Sequence, residues 1–212
     1  MGLGTAISGW SWSKINPSLR SGETLSSFIE KVSEGPLDFQ PGTRWSYSAT
    51  IGLDVIARII EITSKEPFNE FVQQNIFAPL DMKDTHWDVP PNKLHRVMAI
   101  RNDKGGLGNS DSTYFSGSMG LVSTARDYLH FEQMLVNGGS LFGKRILDRS
   151  SVRLMSSNQI DNLYEQSPKG PKGEGFGYTV SVTLDPSKAS LPRSRGSFGW
   201  SGVTGTISWS EP

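Results

Sequence analysis

One stretch, LDFQPGTRWSYSATIGLDVIARIIE from Leu37 to Glu61, limits what this chain can fold into. Its front half cannot be helical. Pro41 presets φ for the first turn position and Gly42 tolerates the next. Behind the turn, the side-chain oxygen of Ser48 or Thr50 can accept a free backbone N–H and start a helix. Ile51, Val55 and Ile59 then recur every fourth residue, with Ile56 and Ile60 beside them. That spacing predicts one apolar stripe on a buried amphipathic helix. Tyr47 lies on the loop entering this helix, where a rigid scaffold can hold a reactive side chain. Taken alone, a tyrosine beside Trp45 is more often a packing aromatic than a catalytic group.

The chain has 212 residues, enough for one sizeable core or two small ones. Its 21 basic and 21 acidic side chains balance, so no charge excess points to nucleic acid or an anionic membrane. No run approaches the roughly 18 apolar residues of a membrane-spanning helix. The opening MGLGTAISGW lacks the basic and apolar regions of a secretory leader, and nothing else in the sequence assigns a compartment. With no cysteine, the chain has no disulfide, thiolate metal site or cysteine nucleophile. His86, His95 and His130 have no metal-ligand spacing and read as surface or helix-face residues, so no metal or cofactor is expected.

Taken in order, Thr24 to Val32 reads as a short helix closed by Gly35-Pro36. The central helix should stop near Lys65, before Pro67, which suits the first turn of a further helix ending at Pro79. Asp81 stands at a position that can require positive φ, which Asp tolerates better than most residues. Residues 88–118 form a long polar loop, and its Gly105-Gly106-Leu107-Gly108 cluster lacks the spacing of a phosphate loop. Ser123 or Thr124 caps a helix packed by Tyr128, Phe131, Met134 and Leu135 and ended by Asn137-Gly138-Gly139. A shorter helix covers Ser151 to Ser156. Phe176, Tyr178, Val180, Val182 and Leu184 alternate with small residues, which predicts one strand with a buried face. The segment 196–209 is also strand-like, and no repeat or linker divides the chain.

Three segments carry a family resemblance. Pro41-Gly42-Thr43 through Tyr47-Ser48 resembles the second motif of serine β-lactamase-like hydrolases: class C β-lactamases, family VIII carboxylesterases and related penicillin-binding proteins. Gly117-Ser118-Met119-Gly120-Leu121-Val122-Ser123-Thr124-Ala125 is similar to a turn lining the cleft of that family, and Pro79 to Thr85 to its PLGM-x-DT segment. Trp200-Ser201-Gly202 is similar to its third motif. The resemblance implies an α/β fold of the α+β type, β-lactamase/transpeptidase-like. An antiparallel sheet carrying 175–184 and 197–210 would be packed by helices around 50–65, 67–78 and 124–137. It implies one partial domain over 1–212, incomplete at both ends.

The same resemblance implies the site. Tyr47 is the motif-two tyrosine, working with a lysine as general base for a serine nucleophile. The N–H of Val203 is an oxyanion donor, and Gly202 leaves room for substrate against the strand. Tyr47 and Trp200 are expected to face one cleft, with Ala49, Trp200, Ser201 and Gly202 at the substrate. Ala49 replaces the Asn, and Trp200 the Lys, that β-lactamases use toward their substrates. Both departures favour an esterase acting on a small ester or amide. A β-lactamase, a D-amino-acid peptidase and a non-catalytic binding module remain the alternatives. The family's Ser-x-x-Lys pair has only one match, Ser11-Trp12-Ser13-Lys14. Lys14 precedes Tyr47 by only 33 residues (47 − 14) and Pro17 follows almost at once, so the match reads as chance and this chain alone as inactive.

Overall fold

The computed structural model describes residues 22–48, 51–98, 113–168, 170–202 and 205–212. Ser11, Lys14, Ala49, Thr50, the 105–108 glycine cluster and Val203 lie outside them. The described residues fall into two compact units. The first takes in Ser46–Ala78 and Met82–Thr124, together with the segment up to Pro41; the second takes in Gly42–Trp45, Pro79–Asp81 and Ala125–Pro212.

In the first unit, helix α1 spans Leu25–Ser33. Thr24 caps it reciprocally: its hydroxyl accepts the Ser27 N–H at 3.1 Å, and Ser27 Oγ accepts the Thr24 N–H at 3.0 Å. Leu25, Phe28 and Val32 form its buried face. Helix α2, Ile51–Ser64, packs against it, with Phe28, Val32 and Ile51 as the shared core. The expected stripe of α2 is only partly right. Ile51, Gly52, Asp54 and Ala57 are buried, whereas Ile56 and Ile59 are exposed. Helical spacing marks a stripe, but the neighbours α1 and segment 114–117 select which side of it is covered. Helix α3, Phe68–Val72, continues into a π-helical turn over Gln73–Phe77. A short 3₁₀ turn, Pro91–Arg96, interrupts the expected long loop.

In the second unit, helix α4, Ala125–Val136, ends where Gly138 takes φ 67°. The Gly139 N–H then donates to the Met134 carbonyl at 2.8 Å and the Gly138 N–H to Leu135 at 2.9 Å, a Schellman closure. Strands β1 (Ser140–Leu141) and β2 (Lys144–Arg145) pair across Phe142-Gly143, both at positive φ, a hairpin the sequence reading did not contain. Helix α5 spans Arg149–Met155. Asp81 takes φ 55°, as expected for its position.

The four-stranded sheet is antiparallel in the order β3-β4-β5-β6. Its strands are β3 (Glu174–Phe176), β4 (Ser181–Thr183), β5 (Phe198–Ser201) and β6 (Ile207–Ser210). The single strand expected over 176–184 is instead a hairpin. Thr179 takes φ 71°, the Gly177 N–H donates to the Val180 carbonyl at 2.9 Å, and Phe176 pairs with Ser181. Alternation counts side chains but does not register a reversal of direction. Ser181, Val182 and Thr183 are accordingly all buried, while Tyr178 at the turn is exposed. Helix α4 packs on β6, where Ser210 donates to Glu132. No helix among the described residues is long and apolar enough to cross a membrane.

Candidate active site

In the first unit the α2 entry is built by short-range chemistry. Ser48 Oγ accepts the Gly52 N–H at 3.0 Å, fixing the chain that presents Tyr47. Tyr47 is 42% exposed.

One helical turn into α2 lies a residue the sequence reading missed. Asp54 is 1% exposed. Its Oδ2 accepts from the Tyr114 hydroxyl at 2.6 Å, and its Oδ1 accepts from Ser116 Oγ at 2.7 Å and the Gly117 N–H at 2.8 Å. The available signal was a carboxylate inside an apolar helix stripe, since a buried charge requires partners elsewhere in the fold.

Burial raises the Asp54 carboxyl above its ordinary 3.8, outweighing the three donors that pull it down. Burial, and then the Asp54 carboxylate, push the Tyr114 hydroxyl well above the usual phenol range. Folding therefore raises the proton affinity of Asp54. Its contribution to stability is most favourable below pH 3.8 and declines as pH rises through the raised value. Asp54→Asn has no such proton to lose. Wild-type stability relative to this variant is expected to fall as pH is raised from about 4 towards neutrality, measured by urea midpoints. A difference that grows with pH would show that burial does not dominate at this carboxyl.

In the second unit, Trp200, Ser201 and Gly202 lie at the end of β5, where Trp200 pairs with Ser208 and Ser201 with Ile207. Trp200 stands edge-on to Phe176 with ring centroids 5.3 Å apart. Phe176 in turn packs on Tyr164 at 5.2 Å and Trp45 at 5.5 Å. Burial, with Glu174 nearby, pushes the Tyr164 hydroxyl up to about 12. Trp200 and Gly199 also line a cavity of about 160 Å³ with Tyr128, Met155 and Thr179. At Gly202 an added Cβ would lie 2.4 Å from Thr206 Oγ1, and the Gly202 N–H donates to the Thr206 carbonyl at 2.7 Å. The β5–β6 turn is itself a sufficient reason for glycine at this position.

A larger cavity of about 380 Å³ in the first unit is lined by Asn69, Phe77, Thr85, His86, Trp87 and Phe115, and Tyr47 does not line it. Among the described residues no group of His, Asp or Glu could hold a metal ion. His86 pairs its backbone with Val122, and His130 Nδ1 lies 2.9 Å from the Leu80 carbonyl oxygen.

The family model described as Beta-lactamase matches residues 3–212. The chain belongs to the beta-lactamase family. Protein Rv1367c of Mycobacterium tuberculosis (strain ATCC 25618 / H37Rv) is 32% identical over 194 residues, covering 84% of this chain and 48% of the relative. Among solved structures, "EstCE1, a hydrolase with promiscuous acyltransferase activity", overlays with a TM-score of 0.79 at 20% identity, covering 98% of this chain and 60% of that one. The unliganded selenomethionyl derivative of simvastatin synthase (LovD) from Aspergillus terreus gives 0.68 at 22% identity, covering 94% of this chain and 55% of that one. These overlays show the β-lactamase/transpeptidase-like α+β fold, in agreement with the sequence expectation. The chain spans about half the length of the curated relatives it matches. Within the family's layout, Tyr47 falls in the first unit and Trp200, Ser201 and Gly202 in the second.

Proposed function

We propose that the protein of which this beta-lactamase family chain forms part hydrolyses small acyl esters through an acyl-serine intermediate. Tyr47 acts as general base together with a lysine, and the Val203 N–H is one oxyanion donor, a contribution of about 3–4 kcal/mol to the barrier where such donors have been removed. The chain takes part in this reaction as a portion of one β-lactamase-like domain.

The observation that carries the ester preference is the setting of Trp200. At the position where β-lactamases keep a lysine for the substrate carboxylate, this chain has an indole packed on Phe176, backed by Tyr164 and Trp45. An aromatic surface without a positive charge gives a carboxylate no ion pair and favours an apolar acyl or alcohol group. Ala49 likewise removes the amide that meets a lactam side chain. The acyltransferase activity in the name of EstCE1 is compatible with the same intermediate, since an acyl-serine can pass its acyl group to water or to another acceptor.

Short-chain nitrophenyl esters and a cephalosporin are to be compared on the protein extended upstream in its own gene. Ester kcat/KM is expected to exceed that for the cephalosporin by at least about tenfold, or about 1.4 kcal/mol of barrier. Faster cephalosporin turnover would overturn the esterase reading in favour of a β-lactamase.

A further inference from the structure

A carboxylate taken out of water is costly unless donors surround it, so its donors indicate what it holds. All three donors to Asp54 come from one segment, residues 114–117, and none from its own helix. Ser116 passes the constraint onward: its Oγ accepts the Ser118 N–H at 3.1 Å and lies 2.9 Å from Ser118 Oγ. The segment is also held from α1. Tyr114 stands edge-on to Phe28 at 5.4 Å, and Thr113 donates to the Glu23 carbonyl at 2.6 Å. Gly117 lies so close to α2 that an added Cβ would be 2.7 Å from the Leu53 carbonyl oxygen. Beyond this clamp the chain opens outward: Met119 is 54% exposed and Gly120 takes φ 88°, before Val122 pairs with His86.

We propose that Asp54 is a positioning residue: by holding 114–117 on α2, it fixes the Ser118–Leu121 turn to the same helix that Tyr47 precedes. This rests on the proposed hydrolase and on the turn as a wall of its substrate site. An asparagine can replace the carboxylate here. Its Oδ1 accepts from Ser116 and Gly117, and its Nδ2 donates to the Tyr114 oxygen. An alanine leaves all three donors buried without an acceptor.

Amide hydrogen exchange on residues 1–212 and ester turnover on the upstream-extended protein test this together. In Asp54→Ala, the Gly117 and Ser118 amides are expected to exchange faster while those of α4 stay as in wild type. At a temperature where the variant is folded by circular dichroism, kcat is expected to fall about 100-fold with little change in KM, the scale of a misplaced site wall. Asp54→Asn should restore both. Val72→Ala, a core change elsewhere in the first unit, should keep wild-type kcat. Where Asp54→Ala does not fold, Ser116→Ala removes one of the three donors and the link to Ser118, and the same amides are expected to exchange faster and kcat to fall, each by less than for Asp54→Ala. Unchanged exchange at Gly117 would show that Asp54 holds nothing. Faster exchange with wild-type kcat would reduce Asp54 to a structural residue and overturn the proposal. A wild-type protein that turns over no ester would overturn the hydrolase reading and the positioning role, while the exchange result would still decide whether the clamp exists.

Discussion

Residues 1–212, incubated with a fluorophosphonate probe, are expected to remain unlabelled, and the protein extended upstream in its own gene to be labelled stoichiometrically. Acyl transfer of this type needs a serine whose proton is removed by a neighbouring base, and a tyrosine serves as that base only when a cation lowers its pKa from about 10. The one Ser-x-x-Lys window, Ser11 to Lys14, has Pro17 three residues beyond its lysine, and proline is unfavourable in a helix interior. In a comparable hydrolase, loss of the nucleophile or its base alone cost about 10⁶ in turnover, and oxyanion donors did not recover it. Activity of 1–212 on a nitrophenyl ester should therefore lie near the uncatalysed rate. Labelling of 1–212 that Ser11→Ala abolishes would show that the Ser11–Lys14 pair is the working one.

Phe28→Ala is expected to destabilise the chain by about 3–5 kcal/mol, the range for removing a buried phenyl ring. Phe28 is 1% exposed and packs with Val32 and Ile51, with Ile29, Val55 and Tyr114 at the margin of the cluster. Its edge contact with Tyr114 adds a specific aromatic pairing of about 1 kcal/mol to the lost transfer energy. Set against the roughly 5–15 kcal/mol by which domains are stable, that loss leaves little folded protein at moderate denaturant. Ile62→Ala, on the 60% exposed side of α2, should change the urea midpoint hardly at all. A small loss for Phe28→Ala, matching that of Ile62→Ala, would mean that α1 does not close the core over α2.

The features legible along the chain are local ones. Thr24, Gly138 and Asp81 act through their own backbone and immediate neighbours, so helix ends and the positive-φ turn were legible. Helices around 50–65, 67–78 and 124–137 followed from periodicity and breakers, which depend on residues a few places apart. The family motifs at 41–48, 117–125 and 200–202 were legible for the same reason, being contiguous words.

The remaining features depend on partners distant along the chain. Alternation over 176–184 could not reveal the reversal at Thr179, because a hairpin and a strand place small and apolar residues in the same order. The isoleucine stripe of α2 could not say which flank is covered, because that depends on where α1 and segment 114–117 pack. Asp54 was hidden most completely: its donors lie 60 to 63 residues away, and its place in the core depends on their arrival. A lone buried carboxylate would be expelled or neutralised; one met by a hydroxyl pair and a backbone N–H is retained, and only the folded chain assembles that set.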